Sequence, residues 1–116
     1  STKANADIYV LGDASQQGDM PKSGFSANSQ AKVCANAVRG SLTGSKVFPA
    51  KFSNTCWSLV HENDGIKVGA TYKATAEKIA KVDGFISATN ESAELRKATY
   101  EESEGWYAGI TADMFG

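Results

Sequence analysis

The chain has 116 residues, 41% hydrophobic and 22% charged, which is the composition of an ordinary globular domain with a core of its own and not of a disordered segment. Twelve basic residues against thirteen acidic ones leave a formal net charge of -1, and Arg39 and Arg96 are the only arginines, so no basic stripe marks a nucleic-acid partner. No apolar run approaches the roughly 20 residues of a membrane span, and Cys34 and Cys56 are too few for a disulfide scaffold and wrongly spaced for zinc or haem attachment, so no metal is expected.

The first residues carry no Met and none of the charged and apolar regions of a signal peptide, so the chain reads as a mature piece of a protein. "ADIYVLGDAS", residues 6 to 15, then sets four apolar residues side by side, Ile8, Tyr9, Val10 and Leu11. A run without alternation predicts a strand covered on both faces. Gly12 allows a turn and a close approach, and Asp13 offers a hydrogen-bond acceptor at the strand's carboxyl end, where open α/β sheets bind ligands. By itself the decapeptide fits equally well a core strand that ends in an Asp-containing turn.

A polar loop follows, and then a helix in which Ala27, Ala31, Cys34, Ala35 and Val38 share one small-sided face. Ser26 is the expected N-cap and Gly40 or Gly44 the expected end. Strand, loop and helix make a β-loop-α unit. The loop "MPKSGFSAN" at the helix start offers unpaired N–H groups and a partial positive charge to an electron-rich group.

Around Pro49 the character changes. "SNTCWSLVH" alternates, with Cys56, Ser58 and Val60 on one side and Trp57, Leu59 and His61 on the other. Glu62, Asn63, Asp64 and Gly65 signal a turn before a second run, "IKVGATY", which predicts an antiparallel hairpin. A third strand is expected in "KIAKV" or "GFISA", with "KATAEK" open to a helical turn. From Ser92, a possible N-cap, the chain reads as a helix with a stripe of Trp106, Tyr107, Ile110 and Met114, weakened by Gly105 and Gly109. The class is α+β: a β-loop-α piece, then a small antiparallel sheet with a C-terminal helix.

Taken together, "ADIYVLGDA", "MPKSGFSANSQAKV", "NTCWSL" and "GWYAGITADMFG" resemble the C-terminal part of the flavoprotein subunit of flavocytochrome c sulfide dehydrogenases, over nearly the whole chain. The resemblance implies that residues 1–45 end a Rossmann-like FAD-binding domain and residues 46–116 form an interface domain carrying Cys56. It implies that Asp13 binds a ribitol hydroxyl of FAD, with Gly12 permitting the approach, and that Lys22, Ser23, Gly24 and Phe25 lie by the flavin ring. It further implies that Cys56 forms a redox-active disulfide with a cysteine from an earlier part of the flavoprotein. Sulfide attacks that disulfide, two electrons pass to FAD, and haem c on a separate cytochrome c subunit receives them singly. Trp106 matches a tryptophan near the flavin, and the compartment implied is the bacterial periplasm. The Gly-rich phosphate-binding segment of a complete enzyme of this kind lies outside these residues, so the chain on its own is not expected to turn over.

Several of these residues have ordinary readings on the sequence alone. A single cysteine on an alternating strand is commonly a small buried hydrophobe, Lys22 a solvated loop lysine and Trp106 a core aromatic. Cys34, among alanines on the helix face, reads as structural. His61, the only histidine, reads as an exposed strand end, because no second residue of a triad is visible. Glu101, Glu102 and Glu104 read as a solvated face, with steering of a basic cytochrome as the alternative. Two other functions fit the pattern. One is part of a sulfide:quinone reductase or related FAD-dependent disulfide oxidoreductase, for which the acidic C-terminal segment is a poor membrane-seeking helix. The other is a non-catalytic binding or assembly module of the same fold.

Overall fold

The structure is a computed structural model and describes residues 2–116. A 3-10 turn, Gly12–Ala14, precedes helix α1, Gly24–Thr43; strands β1, Lys51–His61, β2, Asp64–Ala74, and β3, Ile79–Ile86, follow, and helix α2, Ala93–Phe115, closes the order. The strands form one antiparallel sheet in the order β1-β2-β3, so the class is α+β, as the sequence predicts. Contacts divide the chain into two compact units, Ser1–Asn54 with Ala70–Gly84 and Thr55–Gly69 with Phe85–Gly116.

In the first unit the expected strand over residues 8–11 does not form. The segment is irregular, and Ile8 and Val10 are 53% and 51% exposed. A strand buried on both faces needs partners on either side, and the three strands of this sheet pair with one another. Beyond them the only bridge among the described residues is a parallel one from Gly18 to Ile79. The backbone of Ile8 pairs only locally, its carbonyl accepting the N–H of Thr2 at 2.8 Å and its N–H donating to the Asn5 carbonyl at 3.3 Å.

Helix α1 forms as expected and ends at Gly44, but its cap is Ser23 and not Ser26. The Ser23 hydroxyl accepts the N–H of Ser26 at 3.0 Å, which is the third N–H of the helix and the one an N-cap oxygen reaches. The face of α1 is also more polar than the alanine spacing implies. Ser26, Gln30 and Gly40 are its buried residues, while Ala27, Ala31, Cys34 and Val38 are half-buried and Ala35 is exposed. The core of this unit is small: Met20, Ala70 and Tyr72, with Phe52 and Ile79 packed against them.

In the second unit the hairpin turns through Glu62 and Asn63 alone, since Asp64 and Gly65 already belong to β2. Asn63 takes the left-handed conformation, φ 58°, which asparagine tolerates better than other non-glycine residues. Strand β3 takes most of both candidate runs, and Thr75–Lys78 is a hydrogen-bonded turn, not a helix: the Thr75 N–H donates to the Lys78 carbonyl at 2.8 Å. Helix α2 begins as expected, with the Ser92 hydroxyl accepting the N–H of Leu95 at 3.2 Å. It packs on the hairpin through its first half. Gly65 lies so close to Tyr100 that a Cβ there would stand 3.0 Å from the Tyr100 backbone nitrogen. Lys67 pairs with Glu102 at 2.6 Å, and Arg96 pairs with Asp64. The expected stripe is covered only in part: Trp106 and Ile110 are half-buried, but Tyr107 and Met114 are exposed.

Candidate functional site

The turn at Gly12 and Asp13 is held through the Gly12 N–H and through both carbonyls. Gly12 is buried at φ +72°, a conformation that L side chains rarely adopt. Its N–H donates to Oε1 of Gln30 at 2.7 Å. Its carbonyl accepts the N–H of Ser15 at 3.1 Å and the Ser15 hydroxyl at 2.8 Å. The carbonyl of Asp13 accepts Nζ of Lys22 at 2.6 Å. By contrast the Asp13 carboxylate is exposed and takes no hydrogen bond or ion pair among the described residues.

The start of α1 lies beside this turn, and a Cβ built on Gly12 would stand 3.8 Å from that of Ala27. Lys22 reaches back to Asp13, Ser23 caps the helix, and Gly24 is its exposed first residue, with Phe25 half-buried next to it. The cap is fixed in turn by Asn54, 4% exposed on β1, whose Oδ1 accepts the hydroxyls of Ser23 at 2.6 Å and Ser26 at 3.1 Å. With its proton committed to Asn54, the Ser23 oxygen presents lone pairs to the helix N–H groups. An exposed carboxylate and the positive end of a 20-residue helix thus share one edge of the first unit.

Asp13, Lys22, Ser23, Gly24 and Phe25 are therefore brought together with Gly12. Gln30 and Asn54, which hold them, were not legible as site residues. Gln30 carried one signal: it lies at helical spacing from Ala27 and Cys34, on the face read as inward.

The second unit carries Cys56, exposed on β1. The rings of Trp57 and Trp106 meet there at 5.8 Å between centroids, tilted by 33°. Cys34, in the first unit, is half-buried on α1. His61 is exposed at the end of β1, on a polar cavity that Asp64, Glu91 and Arg96 also line. In the acidic run, Glu102 is committed to Lys67, and Glu101 lies 3.8 Å from Lys97 one turn away. No group of three or more His, Cys, Asp or Glu residues among those described has the geometry of a metal site, and no described helix is long and apolar enough to cross a membrane.

Residues 49–115, well over half of the chain, match the family model described as flavocytochrome c sulphide dehydrogenase, flavin-binding. The match takes in all three strands and the whole of α2, including Asn54, Cys56, Trp57 and Trp106; the Gly12–Asp13 turn and the whole of α1 precede it. With its antiparallel sheet, C-terminal helix and exposed strand cysteine inside that span, the chain belongs to the flavin-binding family of flavocytochrome c sulphide dehydrogenases.

Proposed function

We propose that this chain supplies one edge of the FAD site and one redox cysteine of a sulfide dehydrogenase, which moves electrons from sulfide through a disulfide to FAD and on to a c-type cytochrome subunit. The observation that carries this is the Asp13 turn: three hydrogen bonds to Gly12 and one to the Asp13 carbonyl fix the backbone, while the carboxylate stays exposed. Holding an acceptor still before a ligand arrives lowers the ordering cost of binding. A ribitol hydroxyl is the donor we assign to it.

The residues present fit a flavin. The carboxylate would take the ribitol hydroxyl. The positive end of α1, at Gly24, would face the pyrimidine edge, where negative charge collects on reduction. Lys22 adds a positive charge next to that edge even while its ammonium is bonded to the Asp13 carbonyl. When bound, flavin takes electrons in a pair and yields them singly, which is what joins a two-electron sulfur donor to a one-electron haem.

Cys56 does the sulfur chemistry in this reading, in a disulfide with a cysteine of the flavoprotein portion outside these residues. Hydrosulfide attacks one sulfur of that disulfide. The old S–S bond breaks, a new one forms as a persulfide on the attacked cysteine, and the other sulfur departs as a thiolate with the bonding pair. The exposure of Cys56 on β1 suits an attack from solvent. Residues 1–45 would then close the FAD-binding domain and residues 46–116 serve as the interface domain. A stable disulfide beside a c-type cytochrome belongs in the bacterial periplasm.

The test is Asp13→Ala in the complete flavoprotein, read as the flavin to protein ratio after dialysis. Loss of an acceptor from a bound hydroxyl costs about 1–3 kcal/mol, so occupancy at limiting FAD should fall severalfold. Full retention would remove Asp13 from the site.

A further inference from the structure

We infer that Gln30 is a positioning residue for Asp13: its buried amide sets the Gly12 peptide and so the direction in which the carboxylate is offered to a polyol hydroxyl. This rests on the assignment of Asp13 to the flavin.

Gln30 is 4% exposed and stands on α1, eighteen residues beyond Gly12. Both ends of its amide are engaged. Oε1 accepts the Gly12 N–H at 2.7 Å, and Nε2 donates to Sδ of Met20 at 3.4 Å. Met20 is a core residue, so the amide is anchored to the most buried part of the first unit. The orientation is also determined. Turning the amide over would set two donors, Nε2 and the Gly12 N–H, against each other. The Gly12 carbonyl is tied to Ser15 through two bonds, and the Asp13 carbonyl to Lys22. Of these ties only the one from Gln30 fixes the peptide ahead of Gly12, and it is the only one buried on both sides.

Glycine at φ +72° has other backbone conformations within reach, so its peptide stays in place only as long as its partners hold it. Removing the Gln30 acceptor leaves a buried N–H unsatisfied, and the peptide can regain a partner by rotating toward water. That rotation carries Asp13 with it. A site displaced by about 1 Å loses the geometry a hydrogen bond requires. Methionine has the length of glutamine and lacks the carbonyl acceptor, so Gln30→Met withdraws the tie while filling the space.

The experiment is a double-mutant cycle in the complete flavoprotein, with FAD titrated into apoprotein and followed by fluorescence quenching. Gln30→Met should weaken FAD binding about tenfold, the equivalent of one lost hydrogen bond of about 1.4 kcal/mol. In an Asp13→Ala background the same change should have almost no effect, because the acceptor it positions is gone. Gln30→Glu keeps an oxygen opposite the Gly12 N–H; it should bind FAD within about threefold of the parent despite a lower melting temperature. If Gln30→Met does not fold, Gln30→Asn, one methylene shorter, withdraws the acceptor and enters the same cycle. An equal loss in both backgrounds, or a Gln30→Glu affinity that falls in step with stability, would overturn the positioning role and leave Asp13 in the site. An Asp13→Ala protein that binds FAD normally would instead overturn the flavin assignment itself.

Discussion

A carboxylate that only solvates a loop gains nothing from having the backbone on both sides of it pinned. Asp13 has that arrangement, and the cost is visible next door in Gly12, held at φ +72°. Gly12→Ala keeps room for its methyl group, which would stand 3.8 Å from Ala27, but forces a conformation that costs an L residue about 1–2 kcal/mol. We expect stability to fall by that amount, seen as a lower melting temperature, and, if the turn relaxes to escape the strain, a drop in flavin content; calorimetry and the flavin to protein ratio on the same preparation check both. Cys34 and Cys56 show the converse, two chemically identical groups set apart by surroundings. Cys34 is a half-buried thiol on a helix, and Cys56 is exposed on a strand within the matched family span.

At the scale of elements, the loop that carries Pro21 and Lys22 is stapled to β3 by one carboxylate. Asp19 accepts Nζ of Lys78 at 2.7 Å and the N–H of Lys81 at 3.1 Å, and its own N–H donates to the Ile79 carbonyl at 3.0 Å. The Lys78 hydrogen bond first, and the Lys81 N–H second, hold the Asp19 carboxyl below its ordinary value of 3.8. A depressed folded-state value favours the ionised form in the fold, so the staple is complete above the ordinary value and is lost as pH falls through the lower one. Protection of the amides across residues 15–22, measured against the intrinsic exchange rate at each pH, should therefore fall in acid, below about pH 4. Asp19→Asn should show the faster exchange already at pH 6, and unchanged exchange in that variant would mean the loop is held by other contacts. Elements of this kind differ in how far the sequence reveals them. The hairpin and α2 were legible because their signals are local: alternation through Cys56 and Trp57, Asn63 at the turn, Ser92 at the cap. The segment Ile8–Leu11 was misread because a buried strand depends on pairing partners that its own residues do not specify. The cap moved from Ser26 to Ser23 because two serines three residues apart both satisfy the capping rule; Ser23 has the extended backbone of a cap and accepts the N–H of Ser26, which already lies inside the helix.

At the scale of the whole molecule, three buried hydrophobic residues, Met20, Ala70 and Tyr72, make the core among the described residues, while Ile8, Val10, Leu42, Phe48, Met114 and Phe115 stay exposed. The family was legible as a resemblance, since "NTCWSL" and all but the last residue of "GWYAGITADMFG" fall within the matched span. Gln30 and Asn54 were not, because an amide in a polar run looks the same whether it faces water or a buried backbone. The central claim is that Cys56 stands between sulfide and the flavin, and its most direct test is Cys56→Ser in the complete, FAD-loaded enzyme, mixed anaerobically with sulfide and followed by flavin absorbance in a stopped-flow instrument. The account predicts full flavin content with bleaching slowed by several orders of magnitude, whereas bleaching at the parent rate would mean that sulfide reduces the flavin without this cysteine.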